Sequence, residues 1–316
     1  MGASGGPART AGAQSPARRS RRLAVVVAAD VVVVVVEVVG GFSGHSMALL
    51  ADAGHNVVDV AGVVLALLAV RLSRRPPTTA KSFGWHRSGV LAAQANAAAV
   101  LVVSVLIAVG AAARLAKPVA VHGAVVLGIA LAALLLNGAS ALVVMEKGRR
   151  DLNMRAVLLH AAGDAVASAG VVLAGAVLLV EPGWRVIDPA VSLGIAVLVG
   201  AHAVRLARRA SDVLLEATPA GTDTGALWRA VVAMPGVEDV HDLHVWSLTP
   251  EMTLLSAHLV MAGHPTLEEA QEVAATVRSR LATDFYIAHA TLELECEACA
   301  ESDGSPCSVA VEDSGA

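Results

Sequence analysis

The sequence predicts an α-helical membrane protein with six transmembrane helices, followed by a cytoplasmic α+β ferredoxin-like domain of order αββαβ. Three observations predict it. Of the 316 residues, 56% are hydrophobic and 16% are charged, against about 45–50% and about 25% in ordinary soluble domains. The excess is gathered into six apolar runs rich in Val, Ala and Leu, each reaching the roughly 20 residues that cross a bilayer. From about residue 210 the texture changes to short alternating stretches separated by turn residues and an amphipathic helix.

Residues 1–20 are rich in Gly, Ala, Ser, Pro and Arg and have no core-forming period, so they read as a disordered basic tail. The basic stretch Arg18 to Arg22 then leads into an apolar run. A signal peptide has an apolar core of about 7–15 residues and an A-x-A-like cleavage site. This run continues to Phe42 and is followed by Gly40-Gly41-Phe42-Ser43 instead, so it reads as a retained first helix. The six expected spans are about 23–42, 46–72, 88–113, 121–145, 154–180 and 186–207, within a transmembrane domain of residues 21–209.

Charge sets the orientation. The tail carries Arg9, Arg18, Arg19, Arg21 and Arg22. The loop after the second span carries Arg71, Arg74, Arg75, Lys81 and Arg87, and the loop after the fourth carries Lys147, Arg149, Arg150 and Arg155. The opposite loops hold only Arg114, Lys117 and Arg185. Basic loops stay cytoplasmic, so both termini are expected there, and six spans return the chain to its starting side.

The soluble domain is expected over 210–296. Residues 223–234 read as a helix ending at Pro235-Gly236. Val237 to Ser247 and Met252 to Met261 alternate as strands joined at Thr249-Pro250-Glu251. Thr266 with Glu268 and Glu269 marks a helix start, running to about Asp284, and Tyr286 to Glu295 alternates again. About 80 residues make a small core, which pairing with a second copy would help. Residues 297–316 are expected to be disordered.

The second and fifth spans each carry a His-x-x-x-Asp pair: His55 with Asp59, and His160 with Asp164. Residues four apart share a helix face. An Asp at the bilayer centre costs about 3 kcal/mol on insertion scales, and such groups mark ion or proton paths. Two pairs supply four N/O ligands, the number tetrahedral zinc takes. Two carboxylates and two neutral imidazoles carry −2, which one divalent ion or two protons neutralise. Metal binding requires deprotonated His, so exchange of a divalent metal ion for protons is a natural cycle. Asp52 either faces the same path or sits at the outer mouth, and the mouth is favoured. Asp30 and Glu37, seven apart, line a polar access route or bond to neighbouring helices. Asn96 and Asn137 read as interhelical hydrogen-bond groups.

These residues resemble the cation diffusion facilitators, zinc-transporting branch. Ser46-Met47-Ala48-Leu49-Leu50-Ala51-Asp52-Ala53-Gly54-His55 with Asp59 looks like that family's second helix, and Asp151-Leu152-Asn153-Met154-Arg155 running to His160 and Asp164 looks like its fifth. Phe83-Gly84-Trp85-His86-Arg87, Asp188-Pro189, Asp212-Val213-Leu214-Leu215-Glu216 and His241-Asp242-Leu243-His244-Val245-Trp246 also match, so the resemblance spans about residues 22–296. It implies a homodimeric, proton-coupled exporter of Zn²⁺, with Cd²⁺ and Co²⁺ open, in a bacterial cell membrane. It also implies an Arg87–Asp212 charge contact at the cytoplasmic membrane edge.

The resemblance further places cytoplasmic metal ligands at His241, His258 and His289, where zinc would be regulatory. Thr291 and Gln271 stand where a further carboxylate and His are expected, so at most one zinc is expected there. In the loop between the second and third spans, Thr78, Lys81 and Trp85 occupy the family's ligand positions without ligand chemistry. Cys296, Cys299 and Cys307 are the only cysteines. The Cys296-x-x-Cys299 spacing suits a soft metal, with Cys307 as a third ligand, against the reading of a reduced, flexible tail. The expected partners are divalent metal ions, protons, membrane lipid and a second copy of the chain. Neither nucleic acid nor an organic cofactor is expected. A metalloenzyme is disfavoured: there is no His-Glu-x-x-His, and four ligands leave no place for the water that catalytic zinc keeps. A metal sensor without transport is the alternative, and predicts binding without flux.

Overall fold

In the computed structural model the described residues are 31–145 and 152–297, with backbone alone described between 140 and 162. The tail readings for 1–20 and 298–316, with Asp30, Cys299 and Cys307, lie outside them, as do the basic residues Lys147, Arg149 and Arg150. The chain forms two compact units, one reaching to Leu65 and including Asn96–Val204, the other comprising Ala66–Ala95 and the residues from Arg205 on.

The helices are α1 (described from Val31, to Ser43), α2 (Met47–Ser73), α3 (Ser88–Ala116), α4 (Gly123–Met145), α5 (Leu152–Val180) and α6 (Ile187–Leu214). α2, α3, Gly163–Val180 of α5 and α6 are four stretches long and apolar enough to cross a membrane, while Val31–Ser43 and Gly123–Ala139 are shorter apolar helices. Large apolar side chains such as Leu106, Leu135 and Val39 are exposed. A water-soluble surface of this kind would be unusual, and a lipid-facing one requires it.

Small residues let the helices of the first unit approach. A Cβ on Gly175 of α5 would lie 2.7 Å from the Leu127 backbone nitrogen of α4, and one on Gly123 of α4 would lie 2.6 Å from the Leu179 nitrogen of α5. Without a hydrophobic force between helices in lipid, such close packing carries much of the association. Ala48, Leu49, Val126, Ala167 and Val171 form a buried cluster in this unit.

The start of α2 is tied to α6. Asp188, in the first turn of α6, is fully buried. Its Oδ2 accepts from the Met47 amide at 2.7 Å, and its Oδ1 accepts from the Ala48 amide at 3.3 Å and from the Ser46 hydroxyl. Ser46 Oγ in turn accepts from the Leu49 amide at 3.1 Å. The first amides of a helix have no partner within it, and here other groups supply one.

In the second unit, α7 (Thr224–Val232), β1 (Val237–Thr249), β2 (Met252–Met261), α8 (Leu267–Asp284) and β3 (Ile287–Glu295) follow in the expected αββαβ order. The sheet order is β1-β2-β3, with β1 antiparallel and β3 parallel to β2. A parallel return needs a crossover, which α8 provides. The capping box is present: Thr266 Oγ1 accepts from the Glu269 amide, and Glu269 accepts from the Thr266 amide. That backbone hydrogen bond holds the Glu269 carboxyl below its ordinary value. Leu227, Val231, Leu255, Leu259, Val277 and Leu281 close the core between helices and sheet. β1 runs two residues beyond the expected Ser247. Its register shifts between His241 and His244, where Asp242 takes a φ of +49°.

Candidate metal centre

α2 presents His55 and Asp59 one turn apart, and α5 brings Asp164 to them. His55 Nε2 lies 3.3 Å from Asp59 Oδ2 and 3.2 Å from Asp164 Oδ1. One ligand atom from each of the three lies within 4.8 Å of the others. Ligands about 2.0–2.1 Å from a tetrahedral zinc stand about 3.3–3.4 Å apart, so the two measured separations already have the span of a tetrahedron's edges. The three side chains are 13–21% exposed. His160 lies on α5 one turn before Asp164, and its side chain is outside the described ones. A small recess between α2, α3 and α6 reaches His55, walled by Val58, Val100, Ile107 and Val199 with Ser104.

Two buried carboxyls stand beside this centre. Asp52 is 1% exposed and accepts from Ser168 of α5 at 3.0 Å, so it is held inside the helices and not at a mouth. Glu37 of α1 is fully buried and accepts from Asn56 of α2 at 2.9 Å, the interhelical bond that was one of its two readings.

A second cluster forms on the sheet. His241 and His258 are register partners across β1 and β2, with ring centroids 5.0 Å apart. Glu295 of β3 bridges them, its Oε2 2.8 Å from His241 Nε2 and its Oε1 2.8 Å from His258 Nδ1. His258 Nε2 is 3.5 Å from both Asp242 and Glu293, and Asp242 is also 2.9 Å from His244 Nε2. His289 is not part of this group. It is exposed and lies opposite Leu254 in the register, six residues before Glu295 along β3. Sequence reasoning missed Glu295 and Asp242. The two-residue period does put Glu293 and Glu295 on one face of β3, but that both reach His258 follows from the pairing register, which sets Glu293 opposite it. Cys296, next in the chain, is exposed.

Arg87 pairs with Glu216, Nη2 to Oε1 at 2.7 Å, and not with Asp212. Glu216 follows the end of α6 with a φ of +59°, which turns the chain there.

Apolar helices of membrane length, with an imidazole and two carboxylates gathered among them, define an integral membrane protein with a group of side chains that could hold a metal ion. The sequence comparisons make the class specific. The family described as the cation efflux transmembrane domain matches residues 23–215, and that described as the cation efflux protein, cytoplasmic domain, matches residues 219–297. The chain belongs to the cation efflux family. It is 37% identical to the zinc transporter ZitB of Escherichia coli over 89% of this chain and 88% of that protein. It is 33% identical to a cadmium, cobalt and zinc/H(+)-K(+) antiporter of Bacillus subtilis, over 83% of this chain and 85% of that one. It is 29% identical to the human proton-coupled zinc antiporter SLC30A2, over 89% of this chain and 80% of that one.

Proposed function

We propose that this protein is a proton-coupled antiporter that exports Zn²⁺, with Cd²⁺ and Co²⁺ as further substrates, from the cytoplasm. The observation that carries the reading is the convergence of His55, Asp59 and Asp164 from two helices, with one ligand atom of each within 4.8 Å of the others. His160 is the proposed fourth ligand. With both imidazoles neutral, the quartet carries −2 and a divalent ion makes it neutral, which a low-dielectric interior favours. Protons that return to the ligands in the outward-facing state displace the metal and complete the exchange. The names of the relatives, which include zinc and proton-coupled transport, support this assignment.

In this reading α1 to α6 are six spans in a domain of residues 21–209, both termini are cytoplasmic, and the membrane is a bacterial inner membrane. The αββαβ unit of residues 210–296 is a ferredoxin-like domain that holds a homodimer. His241 and His258 with Glu295 take a regulatory zinc there, with His289 outside the first set of ligands. The Cys296, Cys299 and Cys307 tail captures soft metal transiently.

The test is zinc flux into proteoliposomes under an imposed pH gradient, comparing the intact protein with Asp164→Ala. Gradient-dependent flux that is lost in the variant is expected. Undiminished flux in Asp164→Ala overturns the site, and zinc binding without flux in the intact protein turns the assignment to a sensor.

A further inference from the structure

Metal binding leaves one buried polar pair in the first unit without a role. Glu37 of α1 is fully buried and Asp52 of α2 is 1% exposed. Asn56 Nδ2 satisfies Glu37 Oε2, and Ser168 Oγ satisfies Asp52 Oδ2. The other two oxygens, Glu37 Oε1 and Asp52 Oδ1, have no donor among the described residues. Asn56 lies one turn after Asp52 on α2, so its bond to Glu37 brings the two carboxyls side by side, where a hydrogen bond between them would pair both oxygens. Ionised carboxylates only accept, so such a bond requires a proton on one of them. A single shared proton gives the missing donor and lowers the buried charge of the pair from −2 to −1. Adjacent carboxyls generally share protons in this way. Unpaired buried acceptors are otherwise costly.

Among the described residues, the ionisable and polar groups that face the pair are His55 and Asn56 from α2, and Asp164 and Ser168 from α5. None of them is a fixed cation that could stand in for the proton. Asp52 precedes His55 by three residues, which puts Asp52 about 5–6 Å (Cβ to Cβ) from a proposed metal ligand on the same helix face. At that range, in a low-dielectric interior, a divalent charge arriving at the centre acts strongly on a neighbouring proton.

We propose that Glu37 and Asp52 hold one proton between them and form a proton-binding site separate from the metal ligands. It empties when a divalent cation enters the centre and refills when the cation leaves. The proton leaves as the pair goes from −1 to −2 while the ligands go from −2 to neutral, so ligands and pair together still go from −3 to −2. The proposal rests on the antiport reading and adds to it a proton that the four ligands do not carry.

The experiment counts protons released when zinc binds the purified full-length protein in weakly buffered detergent solution, and follows log Kd for zinc against pH. The variants are Glu37→Gln and Asp52→Asn. The carboxamide of Glu37→Gln accepts from Asn56 and donates permanently to Asp52, so it imitates the protonated pair. One fewer proton per zinc is expected in each variant, with the slope of log Kd against pH shallower by one. Zinc affinity should approach that of the wild type as pH falls. Equal proton counts and slopes in both variants and the wild type overturn the pair alone. Loss of zinc binding in both variants also overturns it, because the carboxyls would then be ligands. If zinc binding releases no protons even from the wild type, the antiport reading itself has failed.

Discussion

Substituting Asp188 by Ala removes the acceptor that fastens the first turn of α2 to α6. The carboxylate accepts from the Met47 and Ala48 amides at 2.7 and 3.3 Å and from the Ser46 hydroxyl, and it is fully buried. A hydrogen bond to a charged group contributes about 1.5–3 kcal/mol net. The three bonds share one acceptor group and so do not add. Removing the acceptor leaves the amide and hydroxyl donors unpaired, about 1–3 kcal/mol for each buried one, which makes about 4 kcal/mol a working value. At about 2–4 °C per kcal/mol for a domain of about 150–250 residues, Asp188→Ala should melt about 8–16 °C lower. Asp188→Asn keeps one acceptor oxygen but turns an NH₂ group toward donors, so an intermediate loss is expected. Thermal unfolding of the detergent-solubilised full-length protein, followed by tryptophan fluorescence, measures both. If both variants melt within about 1 °C of the wild type, Asp188 does not anchor α2.

Two further outcomes follow from the packing and from the sheet cluster. Gly175→Ala places a Cβ 2.7 Å from the Leu127 backbone nitrogen, which cannot move aside cheaply; it should cost about 1–3 kcal/mol. Gly128→Ala, where nothing lies within 4 Å, should leave the same melting curve unchanged or slightly raised. Glu295→Gln should weaken zinc binding by the cytoplasmic cluster at least as much as loss of an outer-sphere partner does, about 10–100-fold, whereas His289→Ala should not. Competition with a chromophoric chelator, in an Asp164→Ala background that silences the membrane centre, separates them. Equal loss in the two variants would return His289 to the ligand set.

Much of the centre was legible because helical period is a local property. Four-residue spacing puts His55 over Asp59 whatever the helix packs against, and polar residues in an apolar run stand out. The capping box at Thr266 was legible for the same reason. What was not legible depends on neighbours that the chain supplies from far away. Asp52 looked like a mouth residue until α5 closed on it with Ser168. Asp188 read as an isolated acid in a helix's first turn until its partners at 46–48 lay beside it. Glu295 was hidden by the β2–β3 register, and Asp242 by a bulge with a left-handed backbone that strand alternation does not foresee. The contact of Arg87 with Glu216 in place of Asp212 is of the same kind, because a turn past the end of α6 decides which acid comes within reach.

Charge and geometry together decide what the membrane centre takes. In the proposed quartet with His160 as fourth ligand, a monovalent ion would leave −1 and a trivalent one +1, so only a divalent ion would give the neutral state that a buried site favours. Charge does not separate Zn²⁺ from Mg²⁺ or Ca²⁺, but coordination does. Mg²⁺ holds to octahedral oxygen and dehydrates reluctantly, and Ca²⁺ wants about six to eight oxygens. A centre built on the His55 nitrogen and two carboxylates offers a mixed nitrogen and oxygen set with too few oxygens for either ion. Imidazole suits Zn²⁺, Co²⁺, Ni²⁺ and Cu²⁺ alike, and raw affinity would favour Cu²⁺ over Zn²⁺. Preference for zinc must therefore come from how rigidly α2 and α5 hold the tetrahedron. That rigidity depends on contacts remote from the ligands: the Asp188 tie at the head of α2 and the glycine contacts of α5 with α4. Loosening either should broaden the range of transported metals before it abolishes transport, and flux assays with Zn²⁺, Co²⁺ and Ni²⁺ on Asp188→Asn and Gly175→Ala would detect the change. Zinc preference that stays intact as flux falls would place the selectivity in the ligands alone.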